Sequence, residues 1–172
     1  SQQFERLTKN AKSLGAATIF TAPQVSGLQL AYSKLGFRPE EIINTTKATL
    51  ALAQATDSDL ARSAEVAGGT LRAFNLQAIN TSRVTDVMAK SFSNSALDLE
   101  KFAESIKFVG PNAKQSNVSL ERTSAMLSVL ADNMVSGSQA GTGLRRIFNE
   151  IAKKGLPVQE GLRKLAAEGL SL

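Results

Sequence analysis

The amino-acid sequence predicts an all-α fold, a compact bundle of about seven to eight short amphipathic helices. Apolar residues recur three and four positions apart along nearly the whole chain, which is the period of a helix with one buried face. Aromatic residues make up only 5% of the 172 residues, and runs of the aromatic and β-branched residues that favour strands are sparse. Capping residues stand before most periodic segments, and glycine stands after several of them.

The first three helices are predicted from residues that start and stop helices. Gly15 is expected to end the first helix. Thr21 and Gln24 form a capping box for the second helix, and Gly36 ends it in the left-handed conformation that glycine tolerates. Pro39 suits the first turn of the third helix, where a missing N–H breaks no hydrogen bond. The expected buried faces are Phe4, Leu7, Ala11 and Leu14, then Val25, Leu28, Tyr32 and Leu35, then Ile42, Ile43, Leu50 and Ala53.

The next three helices also begin at capping residues. Residues 56–59 precede the fourth helix, residues 80–82 start the fifth, and Asp98 caps the sixth. Gly68 and Gly69 lie inside the fourth helix, where each costs about 1 kcal/mol relative to alanine. Another helix is therefore expected to approach closely there. The expected buried faces are Leu60, Ala64, Ala67, Leu71 and Phe74, then Val84, Val87, Met88 and Phe92, then Leu99, Phe102, Ile106 and Val109.

The last part of the chain contains a proline and a segment of small residues. Gly110 and Pro111 are expected to interrupt the sixth helix, because proline removes a backbone hydrogen bond. Ser119 caps the seventh helix, residues 137–143 are expected to form a tight turn and a closely packed helix start, and Gly155 ends that helix. The expected buried faces are Leu120, Thr123, Leu127, Leu130 and Met134, then Leu144, Ile147, Phe148 and Ile151, then Leu162, Leu165 and Ala166.

The domain organisation predicted from these elements is one helical core with an extra helix at each end. The core spans residues 21–155, the N-terminal helix residues 1–20, and the short C-terminal helix residues 156–172. A weak internal similarity points to a tandem duplication, since residues 35–40 resemble residues 116–121. A later helix then carries a Leu-Arg pair near an aromatic residue in both places, Leu71-Arg72 with Phe74 and Leu144-Arg145 with Phe148. The alternative is that two unrelated helix–turn–helix segments share the same turn residues.

The residue types present exclude most kinds of active site. The chain has no Cys and no His, so it has no thiolate nucleophile, no Ser-His-Asp triad and no imidazole metal ligand. The acids Glu40, Glu41, Asp57 and Asp59 stand at helix starts, where carboxylates stabilise the positive end of the helix. No catalytic, cofactor-binding or metal-binding residue is therefore assigned, and the chain is not expected to be an enzyme.

Two groups of residues remain as candidate functional positions. The first group is expected to act as hinges or close helix contacts: Gly68, Gly69, Gly110, Pro111, Gly137, Gly141 and Gly143. Its last three members lack the following lysine and the preceding strand of a phosphate-binding loop. The second group, which could contact phosphate, comprises the basic residues Arg145, Arg146, Lys153 and Lys154. Aromatic residues that would stack on bases are scarce around them, which favours a solvated face.

Several segments within residues 20–150 follow the order and rough spacing of one protein family. They are Leu35-Gly36-Phe37 with Glu40-Glu41, Ala53-x-Ala55-Thr56 with Asp59-Leu60-Ala61, Phe74-Asn75-Leu76, Phe108-Val109-Gly110-Pro111-Asn112-Ala113, Val118-Ser119-Leu120-Glu121, and Gly137-Ser138-Gln139-Ala140-Gly141-Thr142-x-Leu144-Arg145. The last segment is the most specific. Together they resemble the core region of bacteriophage tail tape measure proteins.

The resemblance implies a structural module of a phage or prophage tail tape measure protein. Such a module helps to set the tail length during assembly and is released when DNA is ejected. The implied partners are the tail tube protein, tail assembly chaperones and tail-tip or baseplate proteins, together with self-association and a weaker contact with DNA. The implied location is the lumen of the virion tail, after assembly in the host cytoplasm. The four basic residues would then contact DNA or the tube wall.

Two other functions stay open at this point. A membrane-active helical module would aid DNA passage through the cell envelope and contact the membrane only during ejection. No segment of the sequence approaches the roughly 18 apolar residues of a membrane span. A carboxylate-only enzyme that cleaves the cell wall would need two acids about 5–10 Å apart in a cleft.

Overall fold

The computed structural model describes residues 2–169, and this part of the chain is α-helical without a strand. The all-α prediction is confirmed, with one helix more than the predicted seven to eight. The elements are α1 (Gln2–Ala17), α2 (Ala22–Lys34), α3 (Pro39–Thr56), α4 (Leu60–Ala73), a 3-10 turn (Ala78–Asn80), α5 (Thr81–Asn94), α6 (Leu99–Gln115), α7 (Leu120–Asp132), α8 (Gly137–Lys153) and α9 (Val158–Gly169).

Four helices begin at the caps that the sequence predicts. Thr21 Oγ1 accepts a hydrogen bond from the Gln24 N–H at 3.4 Å, and Gln24 Oε1 accepts one from the Thr21 N–H at 2.8 Å. The side chains of Asp59, Asp98 and Ser119 each accept from the N–H three residues later, at 2.8, 2.8 and 3.2 Å. Each cap satisfies an N–H that has no partner inside its own helix.

Two predicted helix ends are wrong. Helix α1 continues past Gly15 to Ala17, and an ideal Cβ on Gly15 would lie 2.6 Å from the Ala22 nitrogen. Gly15 therefore permits a close approach to the start of α2. Helix α6 runs through Pro111 to Gln115 without interruption. Pro111 and Lys107 are both exposed, so water can bond the Lys107 carbonyl that proline leaves without its N–H partner.

The described chain divides into two compact units, residues 2–94 (unit 1) and 95–169 (unit 2). This division does not coincide with the boundaries expected after residues 20 and 155. In unit 1, α3 lies at the centre and packs against α1, α2, α4 and α5. Its core includes Val25, Leu28, Tyr32, Ile42, Leu50 and Ala64. Phe4, predicted to be buried, is exposed, because α1 packs around Ala11 and its first turn extends beyond that contact.

Unit 2 is built on the pairing of α6 with α8, with α7 packed against both and α9 against α8. Gly155, with φ of +65°, ends α8 as predicted. The predicted burial of Leu165 and Ala166 concerns side chains outside the described part of the structure. Met134, also predicted to be buried, is exposed, because it lies beyond α7 with φ of +65° and so leaves the helical face. Buried apolar residues include Phe102, Ile106, Val109, Leu120, Leu127, Phe148 and Ile151.

Hydroxyl side chains occupy part of both cores. Thr46 and Thr49 in α3, Thr70 in α4, and Thr123 in α7 are buried and donate to the carbonyl four residues earlier, at 2.6–2.9 Å. Each hydroxyl is thereby satisfied within its own helix. The buried Tyr32 hydroxyl adds a bond between α2 and α3, 2.7 Å from Thr49 Oγ1. Burial raises the pKa of Tyr32 to about 12, so the phenol stays neutral at physiological pH.

Candidate functional site: two glycine-mediated helix crossings

Gly68 and Gly69 occupy different environments, although the sequence treats them as a pair. Gly68 is buried where α4 crosses α2, and an ideal Cβ there would lie 2.6 Å from Leu35 Cδ1 and 3.2 Å from Tyr32 Cε1. An ideal Cβ on Gly69 would meet nothing within 4 Å. Gly68 therefore sets the distance between α2 and α4, whereas Gly69 makes no close contact.

Gly141 has the corresponding position in unit 2, where α8 crosses α6. An ideal Cβ on Gly141 would lie 2.9 Å from Ser105 Cα and 3.0 Å from the Ser105 carbonyl carbon. The obstacle is therefore the backbone of α6, which cannot rotate away as a side chain can. Ser105 Oγ also donates to the Gly137 carbonyl at 2.8 Å and joins the start of α8 to α6.

Gly137 and Gly143 do not make such contacts. An ideal Cβ on Gly143 would meet nothing within 4 Å, and Gly137 begins α8 with φ of +59°, a conformation that favours glycine. Gly110 is buried inside α6, and the neighbouring Pro111 is exposed on the same continuous helix. The structure thus separates Gly68 and Gly141, which lie at helix crossings, from Gly69, Gly137 and Gly143.

The two crossings belong to similar three-helix arrangements, one in each unit. Helices α2, α3 and α4 are joined as α6, α7 and α8 are, and in both sets the first and third helices pair. The turn after the first helix places Gly36 and Asn117 in the left-handed conformation, at φ of +79° and +55°. The crossing glycine begins a Gly-x-x-Leu-Arg pattern in both α4 and α8, and the leucine is buried in both.

Each arginine of this pattern lies over a phenylalanine ring of its own unit. The Arg72 guanidinium is 5.4 Å from the Phe37 ring centroid, and the Arg145 guanidinium is 5.9 Å from that of Phe108. Lys107 approaches the Phe108 ring as well, at 5.7 Å. The sequence comparison pointed to the repeated turn and paired Leu71-Arg72 with Leu144-Arg145, but it did not extend that pairing to Gly68 and Gly141. The shared Gly-x-x-Leu-Arg pattern was the signal that would have done so.

The basic residues singled out from the sequence do not converge on one point. Arg145 lies over Phe108, and Arg146 is exposed on another side of α8. Lys153 Nζ donates to Glu150 Oε1 at 2.9 Å, and this contact lowers the pKa of the Glu150 carboxyl. Lys154 lies just after α8. Its side chain is exposed and interacts with another group of the protein. An anion would therefore meet one or two of these cations at a time.

Two surface grooves show no paired carboxylates. A groove of about 540 Å³ between α3 and α5 has Asp86 as the sole acid in its lining. A second groove, of about 460 Å³, lies beside Asn117, Arg122 and Leu156 and contains no acid in its lining. Within residues 2–169, three or more acids do not gather in a way that could hold a metal ion. Neither groove supplies the two flanking acids of a glycosidase.

The helices of the described range are also too short or too polar to cross a membrane.

A cap or an ion pair accounts for several of the acids that the sequence singled out. Glu41 accepts from the Arg38 N–H at 2.7 Å, and contact with Arg38 lowers the pKa of its carboxyl. Glu40 lies 3.2 Å from Arg6, and Asp59 caps α4. These positions stabilise helix starts.

Comparison with known proteins assigns the chain to a family. A family model described as phage-related minor tail protein matches residues 8–172. The chain is 33% identical over 165 residues to the tape measure protein of Pneumococcus phage Dp-1. It is 28% identical over 168 residues to the probable tape measure protein of Escherichia phage P2. The chain belongs to the phage-related minor tail protein family, which confirms the family predicted from its segments.

The relatives are much longer than this chain. The alignments cover 96% and 98% of this chain but only 14% and 21% of the Dp-1 and P2 proteins, respectively. No solved structure matches the chain. The tape measure family is structural and is not a known class of enzymes.

Proposed function

We propose that the chain is a structural module of a tail tape measure protein, which helps to set the tail length during assembly and leaves the tail when DNA is ejected. The observation that carries this proposal is the similarity to two tape measure proteins over nearly the whole chain. The helical structure supports it, since an α-helix gives a fixed length of about 1.5 Å for each residue. A module that measures length needs such a fixed relation between residues and distance.

The same proposal places the chain in the lumen of the virion tail, after assembly in the host cytoplasm. Its partners there are the tail tube protein, the tail assembly chaperones and the tail-tip or baseplate proteins. The net charge of +5 supports a contact with an acidic lumen wall or with DNA. Arg146 is the exposed cation of α8 most open to such a contact, because Lys153 is already paired with Glu150.

The test changes the number of residues in the chain and leaves the rest of the sequence unchanged. Codons for residues 95–169 are removed in frame from the gene that encodes this chain, or are duplicated in frame, and tail lengths are measured by negative-stain electron microscopy. Removal should shorten the tail, and duplication should lengthen it, by up to about 110 Å if the segment lies as an extended helix. The control variant Gly143→Ala keeps the chain length and should leave the tail length unchanged. Tails of normal length in both rearranged phages would refute the proposal.

A further inference from the structure

Among the described residues, helix α7 is held in unit 2 by fewer neighbours than its counterpart α3 has in unit 1. Helix α3 packs against α1, α2, α4 and α5, whereas α7 packs against α6 and α8. Helix α9 packs against α8, and residues from the starts of α7 and α9 line the groove beside Arg122. Ala125 and Val129 in the middle of α7 are exposed. Helix α7 can therefore leave its place without displacing a helix that lies over it.

The buried side of α7 carries two large apolar side chains. Its buried residues are Leu120, Thr123, Ser124, Leu127 and Ala131, of which the two leucines are the large apolar ones. The Thr123 hydroxyl donates to the carbonyl four residues earlier, and so it does not bond another helix. Because stabilisation by burial scales with apolar area, α7 loses little of it on detaching.

Two features raise the free energy of the closed position of α7. The Ser124 hydroxyl is buried without a hydrogen-bond partner among the described residues, and water would bond it once α7 detaches. Met134, just after α7, has φ of +65°, a conformation in which its Cβ crowds the following carbonyl. Both costs are relieved when the helix and its end leave this position.

Several contacts join α6 to α8 without α7. Ser105 Oγ donates to the Gly137 carbonyl at 2.8 Å, and Asn112 Nδ2 donates to Asn149 Oδ1 at 2.8 Å. Gly141 brings the backbone of α8 against that of α6. Both helices also bury large apolar side chains, including Phe102, Ile106, Phe148 and Ile151. The pair of α6 and α8 therefore keeps contacts of its own when α7 leaves.

We propose that α7 is a lid helix, which detaches from α6 and α8 while those two helices stay paired. The opened state exposes the apolar surface that α7 covers, and it breaks the bond of 2.7 Å that Asp132 Oδ1 accepts from the Ala96 N–H. Helix α3, which packs against four other helices, has no such separate opening. This inference goes beyond the proposed role in tail length, and it can fail while that role stands.

The test is native-state hydrogen exchange of the full chain, followed by NMR at several urea concentrations below the unfolding transition. A detached helix of 13 residues is marginal in water, so the α7 amides exchange when the helix detaches. They should exchange at least about tenfold faster than the amides of α6 and α8. Urea should also change their exchange rate less, because the opening exposes less surface than unfolding of the unit does. The α3 amides should exchange no faster than those of α2 and α4.

Two glycine substitutions at exposed positions distinguish opening of α7 from unfolding of the whole unit. Ala125→Gly in α7 and Arg146→Gly in α8 each lower helix propensity by a similar amount. Ala125→Gly should speed the exchange of the α7 amides about fivefold. Arg146→Gly should speed the exchange of the α6 and α8 amides by about the same factor, and it should leave the α7 amides unchanged, because α8 stays helical when α7 alone detaches. Circular dichroism melting curves establish that both variants are folded.

Three results would overturn the inference. If the α7 amides exchange at the same rate and with the same urea dependence as those of α6 and α8, α7 opens only together with the unit. If Arg146→Gly speeds exchange in α7 as much as in α8, opening of α7 requires α8 to unfold. If the α3 amides exchange as fast as the α7 amides, the number of neighbouring helices does not decide which helix opens.

Discussion

Replacing Gly141 with alanine should destabilise unit 2, whereas replacing Gly143, two residues further along α8, should stabilise it. Both changes gain about 1 kcal/mol of helix propensity, because alanine loses less backbone entropy than glycine. An ideal Cβ on Gly143 meets nothing within 4 Å, so the gain should appear in full. An ideal Cβ on Gly141 lies 2.9 Å from Ser105 Cα, so α6 and α8 must move apart.

The size of the difference follows from the kind of atom in the way. Overpacking a core costs about 1–3 kcal/mol, and the upper end applies when the obstacle is helix backbone that cannot rotate aside. Gly141→Ala should therefore lose about 2 kcal/mol net, and it should fall about 3 kcal/mol below Gly143→Ala. Gly68→Ala should cost less than Gly141→Ala, because the nearest atom to its Cβ is the end of the Leu35 side chain.

The assay is urea unfolding followed by far-ultraviolet circular dichroism, with the slope of the free energy against urea compared between variants. Because Gly141 and Gly143 lie in the same helix and the same unit, their comparison removes effects of the denatured state that both share. Equal stability of Gly141→Ala and Gly143→Ala would refute the claim that Gly141 sets the distance between α6 and α8. A loss in Gly143→Ala would show that the space around it is filled.

Three further substitutions test single features, each by the same unfolding assay. Ser124→Ala should leave the free energy of unfolding unchanged or raise it by about 1 kcal/mol, because the Ser124 hydroxyl is buried without a partner. A decrease of more than about 1 kcal/mol would mean that the hydroxyl is hydrogen-bonded. Met134→Gly should raise the free energy of unfolding by about 1 kcal/mol, because Met134 has φ of +65° and is 93% exposed. A decrease would show that the Met134 side chain packs against the protein. Pro111→Ala should raise the free energy of unfolding by about 1–3 kcal/mol, because it restores the N–H that bonds the Lys107 carbonyl. A decrease would show that proline is needed for the path of α6.

Helix starts were predictable because the signal is local. Thr21 with Gln24, Asp59, Asp98 and Ser119 each need only an N–H three residues away, and that distance is fixed by the helix itself. The helix ends at Gly15 and Pro111 were mispredicted because they depend on the surroundings. Nothing in the residues beside Gly15 reveals that Ala22 lies against it.

The sequence did not distinguish the glycines at close helix crossings from their neighbours. Gly68 and Gly69 are the same residue type with the same helix propensity. Only the packing of Leu35 and Tyr32 against Gly68 distinguishes them. The buried hydroxyls of Thr46 and Thr49 were missed for a different reason. Helical periodicity was traced through apolar residues, and a threonine that bonds its own helix backbone behaves as an apolar residue in packing.

The same hydroxyls bear on the proposed role, in which the helices of the bundle would be drawn out inside a tail tube. A helix that leaves the bundle keeps the bonds of Thr46, Thr70 and Thr123, because each is made within that helix. Separating the helices then costs chiefly the free energy of exposing buried apolar surface. It also breaks the few hydrogen bonds between helices, such as the one between Tyr32 and Thr49. Alanine and threonine fill part of the core, and each buries less apolar area than the leucine, isoleucine and phenylalanine side chains that make up most of it. The hydrogen bonds of these three threonines therefore add nothing to the free energy needed to draw a helix out of the bundle, and the loss of apolar burial dominates that cost.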